Sequence, residues 1–347
     1  VIGVILLNLG GPDSIAAVRP FLYNLFSDRD IIRLGPSFLQ KPIAALIIGV
    51  KLRKTLAAYN LIGGKSPLLD ITSAQAKALE EMLNRGVGES ENRRKSLCAD
   101  SPFRPFSGSP VPRFTGSDVP FRVYVGMRYW RPFTEETLEQ MHKDGIKKII
   151  ALSMYPHYSV ATTGSSVKHF EDAAVKYSFE YSCITSWFDH PLYIEALAAR
   201  IEEGLKGFET KPLVLFSAHS LPLKIVASGD PYVKEIQGTI DALANKLDLQ
   251  WSLSYQSKTG PVKWLEPTTE HMLHELAGKG IKDLLVVPIS FVSDHIETLY
   301  EIDILYKRMA KDLGITLRRT EALNTSAEFI EALADIVSRK VAASGWM

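Results

Sequence analysis

The sequence predicts a doubly wound α/β fold built as two similar halves with a cleft between them. Three observations carry that reading. Apolar runs without polar alternation recur along the chain, as buried parallel strands require: Ile2 to Leu7, Pro212 to Phe216 and Asp283 to Phe291. Stretches of helical spacing separate these runs. The chain has 347 residues, 46% of them hydrophobic, which suits about two domains with substantial cores. The boundary is drawn after Tyr155, giving an N-terminal domain over 1–155 and a C-terminal domain over 156–347.

The first strand runs into the turn Leu9-Gly10-Gly11-Pro12-Asp13-Ser14. Its glycines allow positive φ or close backbone approach, and Pro12 with Asp13 punctuates the turn. Residues 14–26 have helical spacing. Residues 34–54 enclose an apolar core, Ile43 to Ile48, flanked by Lys41, Lys51, Arg53 and Lys54. Two readings stand for this segment: a buried helix with basic ends, or an apolar lip that covers an apolar ligand or touches a membrane surface. The turn Gly63 to Leu68 opens a helix from Ile71 to Leu83. Residues 85–120 are rich in Ser, Pro, Gly and Arg, lack periodicity, and read as a long loop insertion. A strand from Phe121 then presents Arg128, Tyr129 and Trp130, and a helix from Thr134 to Lys143 takes Thr134 as its N-cap. The strand Lys148 to Met154 follows. The second half repeats the pattern, with strands near 180–184, 212–216, 250–255 and 283–291.

Several classes of function are disfavoured. Net charge is +1 with a pI of about 7.9, so no basic surplus points to nucleic acid. Gly64-Lys65-Ser66 lacks P-loop spacing, and no G-x-G-x-x-G follows a strand. H-E-x-x-H and G-x-S-x-G are also missing. The two cysteines, Cys98 and Cys183, form no CxxC pair, zinc set or disulfide framework, which fits a cytoplasmic location. Residues 2–9 lack a basic flank and read as a strand, not a signal peptide. No apolar stretch is long enough for a membrane span.

Open α/β sheets bind ligands beyond the carboxyl ends of their strands. Two such ends carry chemistry here. One is Phe216-Ser217-Ala218-His219-Ser220-Leu221-Pro222, and the other is Ser293-Asp294-His295-Ile296-Glu297 continuing to Asp303. On an α-helix, Asp294, Glu297 and Glu301 share one face. These carboxylates with His219 and His295 read as a metal or proton site, against a satisfied buried histidine and an exposed acidic face as the alternatives. Tyr129, Trp130, Tyr155, Tyr158 and Trp187 at loop ends suit a flat, conjugated ligand. Arg128 and the hydroxyls of Ser159, Thr162 and Thr163 suit its peripheral carboxylates.

LNLGGP, FSDRDIIRL, IGGKSPL, MRYWRP, YPHYSVATTGSS, FSAHSLP, GDPY, YQSKTGPVKWLEP and SFVSDHIETLYEID run almost end to end. On these motifs the chain resembles the ferrochelatase family, whose members insert ferrous iron into a porphyrin during haem synthesis. The insertion 85–120 lies outside the resemblance. What the resemblance implies is a chelatase-like pair of Rossmann-like domains, each with a four-stranded parallel sheet flanked by helices. It makes His219 and Glu297 the catalytic pair, on opposite sides of the ring, with Glu301 beside them as a further metal-delivering group. It makes Leu9, Arg128, Tyr129, Tyr155, Trp187 and His295 substrate-binding. It implies Fe²⁺ as substrate and no tightly bound cofactor. Some members carry an iron–sulfur cluster on four cysteines, and this chain has two. It makes 34–54 a lip with peripheral contact to the inner face of a membrane. In the family the acidic helix continues in four-residue steps. Here Glu301 keeps the first step and Leu305 occupies the next. Members that use coproporphyrin often carry Tyr where this chain has Leu9, so Leu9 points to protoporphyrin IX. Coproporphyrin III, or a non-catalytic porphyrin or haem carrier, is the alternative.

Overall fold

A computed structural model describes residues 1–31, 36–85, 119–258 and 262–346. Cys98 and nearly all of the insertion read over 85–120 lie outside the described residues. Two parallel four-stranded sheets form the framework. The first is ordered β2 (Phe121–Met127), β1 (Ile2–Asn8), β3 (Lys148–Ser153), β4 (Glu180–Ile184). The second is ordered β6 (Trp251–Gln256), β5 (Leu213–His219), β7 (Asp283–Pro288), β8 (Thr316–Arg319). Every residue of β1 is buried, because helices cover both faces of the sheet and leave no solvent side for polar alternation.

Both sheets follow the same route. The chain leaves the central strand toward one neighbour, then returns on the other side. That reversal opens a crevice at the carboxyl end of the central strand. In the first sheet the crevice begins at Leu9-Gly10, and in the second it begins at His219. Gly10 has φ of +84°, and a Cβ there would sit 3.1 Å from the Trp130 nitrogen and 3.2 Å from the Met127 Cβ. Only glycine satisfies both conditions at this turn.

Two strands differ from the sequence reading. β4 lies in the first sheet, beyond the boundary drawn after Tyr155, and we place the boundary after Ile184. β8 is absent from the sequence reading because it is a short edge strand in which only Leu317 is buried. The N-cap assignment is also corrected. Phe133, extended at ψ 151°, precedes the helix Thr134–Lys143. Its N–H donates to Glu136 at 3.0 Å, so the Glu136 carboxylate rather than the Thr134 hydroxyl satisfies the helix start.

Helices α1 (Val18–Ser27) and α2 (Gln40–Leu61) pack through Phe21, Leu22 and Phe26 against Ala44, Ile48 and Tyr59. The opposite face of α2 is bare: Leu46 is 71% and Val50 79% exposed, and Phe38 just before the helix is 77% exposed. Over its described residues 36–54, the segment packs on α1 with one face and leaves the other exposed, so it is not a buried helix. The main core spans both sheets, from Leu6 and Leu152 through Trp187 and Tyr193 to Phe216 and Phe329. The helix Ala327–Ala343 packs on the helix Pro191–Leu205 and on α3 (Leu68–Leu83), which belongs to the first half. This shared core fixes the two crevices relative to each other.

Phe216 is fully buried in β5, three residues before His219, with its ring 6.0 Å from that of Trp251. Phe216→Ala is expected to lower unfolding free energy by about 3–5 kcal/mol. A urea midpoint matching the parent protein, at equal slope, would contradict this packing.

Candidate active site

His219 is held by its backbone. Its N–H donates to Ser290 Oγ at 3.0 Å, and its carbonyl accepts from the Tyr232 hydroxyl at 3.0 Å. Those two hydroxyls are 2.6 Å apart. The imidazole is thereby aimed from the end of β5 into the crevice. Opposite it, the chain leaves β7 and enters a ten-residue π-helix, Glu297–Tyr306, where the sequence reading expects an α-helix. His219 Nδ1 lies 2.8 Å from Glu297 Oε2. The pair is in direct contact, so a ring can pass between the two groups only if this hydrogen bond opens.

The wide winding turns both Glu297 and Glu301 toward Ser257. The Ser257 hydroxyl is 2.7 Å from Glu297 Oε2 and 2.5 Å from Glu301 Oε2. A hydroxyl has a single proton to donate, so the second close contact needs a proton on a carboxyl. Glu301 is the group that holds it: burial first, then the charge of Glu297, raises its pKa to about 7, against the Ser257 hydrogen bond. Glu297 moves the other way. Burial opposes its ionisation, but the charge and hydrogen bond of His219, with smaller help from His295 and Ser257, hold it well below the usual range. His219 is pulled down by burial, yet the Glu297 carboxylate, with Glu301, raises it above its ordinary value. Ser257 holds this position at φ +67°, a strained conformation for a serine. Gln256, the register partner of His219, donates to the Glu297 carbonyl at 3.3 Å and accepts from Ser217 Oγ at 2.7 Å.

His295 Nδ1 lies 3.1 Å from the Ser293 carbonyl, so that nitrogen carries the hydrogen. Its Nε2 is buried without a partner, 4.0 Å from Glu297 Oε1. Burial, against the charge of Glu297, keeps the ring below its ordinary range. Asp294 does not share the face of the two glutamates. It pairs with Arg319 at 3.0 Å and accepts from Asn324 Nδ2 at 2.9 Å. Leu305 packs beside the apolar cluster of Leu215, Met272 and Ile302.

These groups lie at one end of a cavity of about 540 Å³, a size that suits a single organic ligand. Its apolar wall comes from Phe21, Leu22, Leu25, Phe26 and Ile31 on one side, and from Ile225, Phe291, Ile296 and Trp264 on the other. Lys51, Lys54 and Lys258 add cations to the wall. Burial, with repulsion from Lys54, lowers the Lys51 ammonium, which lies 5.8 Å from the centre of the Phe26 ring. Besides His295 Nε2, three buried polar atoms of lining residues lack partners among the described residues: the Tyr155 hydroxyl, His157 Nδ1 and Trp264 Nε1. Such atoms mark where a ligand's own polar groups can be met.

Leu9, Tyr155, His219, His295, Glu297 and Glu301 all line this cavity. Arg128, Tyr129 and Trp187 do not, which corrects the sequence reading. Asp28 takes both Arg128 Nη2 at 2.7 Å and the Tyr129 hydroxyl at 2.6 Å, behind the wall. Trp187 is 4% exposed, donates to the Ser153 carbonyl at 2.9 Å and packs against Tyr193 and Phe329. His219, Glu297 and Glu301, read from the sequence as a metal set, are drawn together here by direct contact and by the Ser257 hydroxyl. Among the described residues, no three His, Cys, Asp or Glu side chains are arranged to hold a metal ion. Here Glu297 Oε2 is already taken by His219 and Ser257. Ser257, Tyr232 and Ser290 join the site without having been singled out in the sequence, and Lys51 and Lys54 were read there only as flanks of the 34–54 lip. Ser257 follows the end of β6, the one signal that could have found it.

A family model described as Ferrochelatase matches residues 1–95 and 112–341. The ferrochelatase of Geotalea daltonii is 47% identical over 342 residues, covering 96% of each chain. The ferrochelatase of Synechocystis is 45% identical over 347 residues, covering 97% of this chain and 81% of that one. Among solved structures, SirB from Bacillus subtilis, determined with Fe³⁺, superposes with a TM-score of 0.50 at 14% identity. It covers 66% of this chain and 85% of its own, a likeness of fold alone.

The His219–Glu297 pair sets a pH window. The share of stability from Glu297 is present above 4.5 and lost as pH falls toward its lowered pKa; that from His219 is present below 6.5 and lost as pH rises through its raised pKa. In Glu297→Gln, burial acts on His219 with its main opponent gone. NMR titration should then find the imidazole below 6.5, its ordinary value. A titration unchanged from the parent would refute the pairing.

Proposed function

From the premise that this chain belongs to the ferrochelatase family, we propose that His219 and Glu297 carry the acid–base chemistry of its reaction. The enzyme is a metal-chelating lyase of haem biosynthesis. Its two substrates are Fe²⁺ and protoporphyrin IX, and inserting the one into the other releases two protons. The observation that carries the residue assignment is the contact of His219 with an ionised Glu297 at the end of an apolar cavity.

The metal replaces two pyrrole N–H hydrogens, so each turnover needs proton acceptors beside the ring. Glu297 engages His219 Nδ1 and leaves Nε2 as the accepting nitrogen. Its own ionised carboxylate stabilises the imidazolium that forms. Glu301, titrating near neutrality, is suited to pass protons onward. A ring in this cavity meets Tyr155, Phe291, Ile296 and Leu9 along its faces and edges. Lys51 and Lys54 suit the porphyrin's carboxylates. The apolar Leu9 side chain favours the vinyl-bearing ring over one with more carboxylates. Iron is cargo in this reading, with no tightly bound cofactor and no iron–sulfur cluster.

Phe38, Leu46 and Val50 stand exposed, and Lys41, Arg53 and Lys54 share their segment. We read this face as a peripheral membrane contact that receives an apolar porphyrin. No helix among the described residues is long and apolar enough to cross a membrane.

His219→Ala is expected to abolish iron insertion in an anaerobic absorbance assay while porphyrin binding persists. Insertion at the parental rate would sink the role given to His219. Replacing Leu46 and Val50 with Asp should sharply reduce co-sedimentation with vesicles and leave insertion into detergent-dispersed porphyrin unaffected. Equal sedimentation of variant and parent would count against the membrane face.

A further inference from the structure

We propose that Arg319 is a positioning residue for iron insertion, acting by holding the π-helix in the winding that brings Glu297 and Glu301 onto Ser257. The inference rests on the iron-insertion reading above. Arg319 ends β8, and its side chain is only 10% exposed. Its Nε and Nη2 donate to the two Asp303 oxygens at 2.9 and 2.8 Å. Its Nη1 reaches Asp294 Oδ1 at 3.0 Å and the Thr320 carbonyl at 3.1 Å.

One planar guanidinium therefore joins a residue before the π-helix to a residue inside it. Asp294 is fixed independently. Its N–H donates to Asn324 Oδ1 at 3.0 Å, its Oδ2 accepts from Asn324 Nδ2 at 2.9 Å, and its Oδ1 accepts from Thr298 Oγ1 at 3.0 Å. Asn324 in turn is tied to α3 of the first half, since Gln75 Nε2 donates to its carbonyl at 2.7 Å and to Ser293 Oγ at 2.9 Å. Arg319 passes this anchor across to Asp303. A π-helix is a rare winding that the surrounding structure must support. Rewinding its ten residues as an α-helix would rotate Asp303 about the axis relative to Asp294 and break the bridge. It would also draw Glu301 away from the oxygen it shares with Glu297 at Ser257. Arg319, Asp294 and Asp303 are outside the cavity lining, so the effect reaches the reaction only through the glutamates.

The test compares the full-length parent with Arg319→Lys, Asp303→Asn and the double variant. Lysine keeps the charge but lacks the fork that spans two carboxylates, and Asn at 303 keeps part of the hydrogen bonding if the lysine variant proves too unstable. Each is assayed for anaerobic Fe²⁺ insertion and, separately, for porphyrin Kd by fluorescence. The expected result is a fall in kcat of about tenfold in each single variant, with Kd within about twofold of the parent. The double variant should fall no further than the weaker single variant, because both substitutions cut one link. An unchanged kcat, losses that multiply in the double variant, or kcat and Kd worsening together would overturn the proposal. A parent protein with no insertion activity would instead overturn the reading on which it rests.

Discussion

The constraint on which this molecule depends is electrostatic. Two carboxylates must face an apolar cavity without water to stabilise both charges. The protein meets it by unequal treatment. Glu297 receives an imidazole and a serine hydroxyl, and stays ionised. Glu301 shares that hydroxyl, sits in the field of Glu297, and keeps its proton to near neutrality. Each partner then needs its own fixing. His219 is clamped at N–H and carbonyl by Ser290 and Tyr232, and Ser257 is bent into a left-handed conformation. The other two acids of the segment are taken out of the site by one guanidinium.

The fold supplies the places where this can be done. A parallel sheet with a reversed strand order leaves its central strand ending in an open crevice. The same order in both sheets makes two crevices, and the core they share sets them face to face. Reactive groups enter from β5 and the segment after β7, on elements too well packed to drift. Apolar walls enter from α1 and from the turn after β1. The exposed face of α2 has no packing partner among the described residues.

Much of this was legible in the residues. Seven of the eight described strands were read from the sequence, and β1, β5 and β7 stood out as unbroken apolar runs, because a strand covered on both faces has no use for polar alternation. His219 and Glu297 stood out because each follows such a run. What failed has common physical causes. An edge strand with one buried side chain, Leu317, carries too little pattern. An aromatic at a strand end reads alike whether it faces a ligand or a core, which is how Trp187 was misplaced. Arg128 and Tyr129 looked available because their partner, Asp28, lies a hundred residues away in sequence. The helical period was wrong because α and π windings use the same residue types. They differ only in tertiary support, here Arg319 and Asn324. Ser257 was marked only by its place after the end of β6, since a strained φ leaves no mark on composition.

The two sheets divide the labour of the cavity between them. The turn after β1 contributes surface to the ligand, through Leu9 and Gly10. The end of β5 and the helix after β7 contribute reactivity. Leu9 lines the cavity with an apolar side chain that carries no titratable proton, and His219 enters it from a different sheet. The surface that meets a ligand and the groups that titrate thus sit on separate strands, so each can be altered by substitution without moving the other.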